Sequence, residues 1–160
     1  MDILEFAIKM ELDGEKYYNE QAAINQDNSL NIIFLTLAKD EKNHAKILTR
    51  KSKGLSFELN EPVHTAIKNV FNGKVDFKSE IIQKPHQLDI YRMALEMERK
   101  SIELYEKLFS AETNDKSKEL FQYLGGQEKN HFAIIEELVL LVNRPNEWVE
   151  AAEFGLREKY

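Results

Sequence analysis

Apolar positions recur at helical spacing along most of the chain. Leu4, Ala7, Ile8, Glu11 and Tyr18 share one stripe, which predicts a helix from Asp2 to Ile24. Asp27, Asn28 and Ser29 form a turn that offers an N-cap. A second helix then runs to Lys53, with Leu30, Ile33, Phe34, Leu37, Glu41, His44 and Leu48 inward. Arg50, Lys51 and Lys53 complement its C-terminal dipole, and Gly54 suits the left-handed position just beyond. The pattern lapses over residues 55–85, which hold Pro62, Gly73 and Pro85, with a short helix predicted from Val63 to Phe71. A third helix begins just after Pro85 and turns Tyr91, Ala94, Leu95, Glu98, Ile102, Tyr105 and Leu108 inward. Beyond the turn at Thr113-Asn114-Asp115, a fourth buries Leu120, Phe121, Leu124, Glu128, His131, Ile135 and Leu138. Arg144-Pro145-Asn146 should stop it, leaving a short C-terminal helix over 146–158 that lays Trp148, Ala152 and Phe154 on the bundle. The expectation is one all-α domain over 1–160: hairpin 1–53, crossover 54–86, hairpin 87–143 and that final helix. A long crossover is what a four-helix bundle needs when its second and third helices run parallel.

The two hairpins are copies of each other. Glu41-Lys42-Asn43-His44 returns letter for letter as Glu128-Lys129-Asn130-His131, an offset of 87 residues. At the same offset Asp2-Ile3 matches Asp89-Ile90, Met10-Glu11 matches Met97-Glu98, and Tyr18 matches Tyr105. Phe34, Leu37 and Ile47 match Phe121, Leu124 and Ile134, with no insertion anywhere.

A Glu three residues before a His places both side chains on one helix face. Glu11 and Glu98 sit on otherwise apolar stripes, where a carboxylate must be paired, hydrogen-bonded or metal-bound. Glu11 and Glu41 lie equally far from the hairpin centre near Gln26, so an antiparallel pair holds them at one height. Glu98 and Glu128 do the same about Thr113. Four Glu and two His therefore converge at mid-bundle. Four carboxylates balance two divalent cations, and a carboxylate–imidazole mixture suits Fe or Mn better than tetrahedral zinc.

With these residues in view, the chain resembles the rubrerythrin-type branch of the ferritin-like superfamily over essentially its whole length. The resemblance rests on Ala7-Ile8-Lys9-Met10-Glu11 with Tyr18, Glu41-x-x-His44, Ala94-Leu95-Glu96-Met97-Glu98 with Tyr105, and Glu128-x-x-His131. It implies a ferritin-like four-helix bundle with two iron ions, oxo- and carboxylate-bridged, although Mn or Zn could occupy the same ligands. Glu11 and Glu98 would be terminal ligands, Glu41 and Glu128 bridging, and His44 and His131 would each hold one metal. Tyr18 and Tyr105 would donate hydrogen bonds to the carboxylates. The implied activity is reduction of hydrogen peroxide or dioxygen, in a homodimer. Iron storage without turnover, oxygenation of an organic substrate and an inert structural bundle are the alternatives. Two features depart from the family: Ser101 stands where rubrerythrins proper carry a further Glu, and there is no cysteine for a rubredoxin centre. Electrons would come from a separate rubredoxin or flavoprotein.

Composition narrows the classes further. A formal net charge of -6 opposes nucleic-acid binding, and zero cysteines exclude disulfides, thiol catalysis and thiolate metal sites in this chain. The longest apolar run, Leu138 to Val142, is far too short for a membrane span. Met1 to Glu5 carry no basic n-region, so no signal peptide is expected and the chain reads as cytoplasmic. His64 and His86, in or beside the crossover, read as surface or capping residues. Gly125-Gly126, inside a helix, reads as close packing, with a π-bulge before Glu128 as the alternative.

Overall fold

The computed structural model describes residues 1–72 and 87–154, with side chains as far as Leu141. Its elements are α1 (Ile3–Ile24), α2 (Leu30–Ser52), α3 (Thr65–Phe71), α4 (Gln87–Ala111) and α5 (Asp115–Phe154). No strand occurs among the described residues.

Local chemistry sets the helix ends. The Asp2 carboxylate accepts from Glu5 N at 2.9 Å and caps α1. At α2 the predicted turn supplies its cap through Asn28, whose Oδ1 accepts from Leu30 N at 2.9 Å. Asn114 does the same for α5, accepting from Ser117 N at 2.9 Å. Beyond α2, Gly54 has φ +71°. That left-handed turn lets Leu55 N reach Arg50 O and Gly54 N reach Lys51 O, so two terminal carbonyls are satisfied.

One expectation fails. Helix α5 does not stop at Arg144-Pro145-Asn146 but continues to Phe154, so no separate C-terminal helix forms over the described part of 146–158. Proline removes one ladder bond and clashes with one carbonyl, yet the turns on either side keep their own bonds, so a helix can persist through it. The expected packing of Trp148, Ala152 and Phe154 falls outside the described side chains, and residues 155–158 fall outside the described residues.

The bundle is layered along its axis. One apolar cluster takes Tyr18 and Ala22 from α1, Leu30 to Ala38 from α2, Ile67 and Val70 from α3, Tyr91 and Ala94 from α4, and Ile135 to Leu141 from α5. A second takes Ala7, Ile47, Leu48, Tyr105, Leu120, Phe121 and Leu124. Helices α2 and α4 enter from the first cluster and leave through the second, whereas α1 and α5 run the other way. Thus α2 and α4 are parallel, as the crossover requires. On all four helices the Glu and His positions fall between the clusters. Apolar packing on both sides therefore seals a polar layer at mid-bundle.

Candidate metal centre

All six predicted residues meet in that layer, and all are buried. They divide into two sets whose donor atoms lie within 4.8 Å of one another: Glu11, Glu41, His44 and Glu128, and Glu41, Glu98, Glu128 and His131. Glu41 and Glu128 belong to both sets. His44 Nδ1 lies 3.2 Å from Glu11 Oε2 and 3.1 Å from Glu128 Oε1. His131 Nδ1 lies 2.8 Å from Glu41 Oε1, 3.4 Å from Glu98 Oε1 and 3.5 Å from Glu128 Oε2. The same ring nitrogen of each histidine thus faces the carboxylates. Tyr18 donates to Glu98 Oε1 at 2.6 Å and Tyr105 to Glu11 Oε1 at 2.5 Å. Each tyrosine therefore orients the carboxylate of the opposite hairpin.

The electrostatics show what such crowding demands. Burial, with Glu128 beside it, raises Glu11 above the ordinary carboxylate range. Burial and neighbouring carboxylates push Glu41 and Glu98 well above it. Glu128 goes the other way: burial would raise it, but hydrogen bonds from Glu98, His131 and His44 outweigh burial and hold it well below. Burial would also lower both histidines, but Glu11 and Glu128 lift His44 to about 10. Glu98 heads the groups that hold His131 well above its usual value. Without metal, protons must therefore neutralise the layer. With both carboxylates ionised, Glu98 Oε2 and Glu128 Oε2 are buried with no hydrogen-bond donor. Orphaned carboxylate oxygens in an apolar interior are costly, and cations within the two sets would satisfy them. The donors are carboxylate oxygens and imidazole nitrogens, the types that suit iron or manganese. The residues therefore fit a metal pair.

Three neighbours were not anticipated. Asp40 is buried, and its Oδ2 lies 2.9 Å from His131 Nε2 and 2.8 Å from His64 Nε2. His64 is thus a half-buried partner of that carboxylate and not simply a surface or capping residue; His86 falls outside the described residues. The available signal was a second acid directly before Glu41, but its target lies 91 positions away on another helix. Gly14 is the third. A Cβ there would stand 2.8 Å from Glu41 Oε2, so any other residue would force that carboxylate to shift. Ser101 is the repeat counterpart of Gly14 and is also buried, with Oγ 3.1 Å from Met97 O and 3.4 Å from Met10 Sδ.

The Gly125-Gly126 pair lies in unbroken α-helix, which removes the π-bulge reading. A Cβ on Gly125 would touch Tyr105 Cβ at an ordinary 3.5 Å, and one on Gly126 would meet nothing. Packing thus accounts for the first glycine only loosely and for the second not at all.

No curated protein and no solved structure matches the chain. A family model does: Rubrerythrin matches residues 2–139. With its repeated Glu and Glu-x-x-His helices folded into one bundle, the chain belongs to the Rubrerythrin family.

Proposed function

We propose that Glu11, Glu41, His44, Glu98, Glu128 and His131 hold two iron ions and that the protein reduces hydrogen peroxide or dioxygen there. The observation that carries this reading is the sharing of Glu41 and Glu128 between two otherwise separate donor sets, which suits two neighbouring ions bridged by carboxylates. A ferrous pair would supply two electrons and Lewis acidity to the oxidant. The chain's own residues do the rest. Glu11 and Glu98 would cap the two ends of the pair, and Tyr18 and Tyr105 hold those carboxylates in place. Asp40, accepting from His131 Nε2–H, would leave Nδ1 free to coordinate. The apolar clusters above and below exclude bulk water. Electrons would come from a rubredoxin or flavoprotein donor. The setting proposed is a cytoplasmic homodimer. Among the described residues, no helix is long and apolar enough to cross a membrane.

The test is anaerobic loading with ferrous iron followed by one equivalent of hydrogen peroxide. Two irons per chain, a fast near-ultraviolet change and peroxide loss beyond that caused by free iron are expected. Zinc alone, or no metal, with no spectral change would remove the redox reading and leave a structural bundle.

A further inference from the structure

A cleft of about 610 Å³ lies between α1 and α4 and reaches the metal layer. Its walls are Phe6, Met10 and Tyr17 from α1 and Met97 from α4; Glu41 and Glu98 line it at depth. Both glutamates, two of the six candidate ligands, are almost fully buried, at 4% and 3% exposed, and both line the cleft. Two small residues shape this approach. Gly14 has no side chain to cover Glu41, and the short side chain of its repeat counterpart Ser101 also lines the cleft. At the rim, Lys9 and Asp13 form an exposed ion pair at 3.0 Å.

We infer that this cleft binds an organic hydroperoxide, with its apolar group against Met10, Met97 and Phe6 and its O–O end toward Glu41 and Glu98. The inference rests on the peroxide-reducing reading above. Hydrogen peroxide alone explains the cleft poorly. A water-sized molecule takes about 30 Å³, whereas this space falls within the range of roughly 300 to 1,000 Å³ that organic ligands occupy. Thioether side chains adapt to apolar ligands of varied shape. The reaction balances as ROOH plus two electrons and two protons giving ROH and water. The O–O bond breaks, one electron comes from each of two ferrous ions, and solvent supplies the protons. A rubredoxin or flavoprotein restores the ferrous pair.

The test begins with zinc-loaded protein carrying 13C-methyl methionine, titrated with cumyl alcohol, the product of cumene hydroperoxide. Met10 and Met97 should shift saturably, while Met93, 56% exposed and outside the cleft, should not. With iron, cumene hydroperoxide should be reduced, and Met97→Trp should lower its kcat/KM about tenfold more than that for hydrogen peroxide. The inference is overturned if the alcohol leaves Met10 and Met97 unmoved. It is equally overturned if those methyls respond to protein concentration instead, which would make the cleft an interface between copies. Reduction of hydrogen peroxide but not of cumene hydroperoxide also overturns it. Intact methyl shifts with neither peroxide reduced would instead sink the parent reading, and the hydroperoxide assignment with it.

Discussion

The repeat breaks its own symmetry next to the candidate ligands. Asp40 corresponds to Gln127, and both are buried. Asp40 receives His131 Nε2, whereas the Gln127 amide donates to Glu61 Oε2 at 3.3 Å. A carboxylate behind an imidazole fixes its tautomer and strengthens it as a ligand. The two proposed metal positions should therefore differ in affinity, the one at His131 being the tighter. Asp40→Asn should weaken that position by roughly 10- to 100-fold. A competition titration with a chromogenic chelator would then show two more nearly equal sites; unchanged, unequal steps would remove the role given to Asp40. Gly14→Ala bears on the other shared group: a methyl 2.8 Å from Glu41 Oε2 must displace a carboxylate common to both donor sets. Both ions should then bind more weakly while the helices remain, which metal analysis beside far-ultraviolet circular dichroism would show. These outer residues were hard to read in sequence because their partners are distant. The six central residues were legible because Glu-x-x-His encodes its own geometry on one helix face, and the repeat supplied the register.

At the scale of the element, α1, α2 and α4 follow their apolar periods closely, but α5 overruns the proline expected to end it. A proline removes one ladder bond and leaves those of the turns on either side, so by itself it does not fix where a helix ends. The glycines make such local backbone effects measurable. Gly126 is exposed, helical and free of neighbours, so Gly126→Ala should stabilise the protein by about 1 kcal/mol through propensity alone. Gly54 has equally open surroundings but φ +71°, so Gly54→Ala should destabilise by roughly 1 kcal/mol despite the absence of any clash. Urea unfolding of the pair should give opposite shifts in midpoint at similar slopes. Two shifts of the same sign would refute the backbone argument.

For the whole molecule, the central fact is a charged layer clamped between two apolar clusters. The amphipathic stripes made the helices and their pairing readable, but not the net cost of closing the bundle on four carboxylates, which depends on what neutralises them. Glu11, Glu41, Glu98, His44 and His131 all hold protons more tightly when folded. A group with a raised folded pKa contributes stability that is complete below its unfolded value and lost as pH rises through the folded one. For His44 that window runs from 6.5 to about 10; for the three glutamates it opens at 4.5. Glu128 and Asp40 are lowered, so their contributions are present above their unfolded values and disappear only on acidification. Across the window from 6.5 to about 10 the raised groups dominate, and the metal-free protein should melt at progressively lower temperature. Bound cations take the place of those protons, so the loaded protein should hold its melting temperature over the same range and release protons as it binds metal. Scanning calorimetry of both forms, with proton release read in a weakly buffered indicator solution, would test this. The gap between loaded and metal-free melting temperatures should widen with pH. A gap that narrows would mean that buried protons are not what holds the empty layer together.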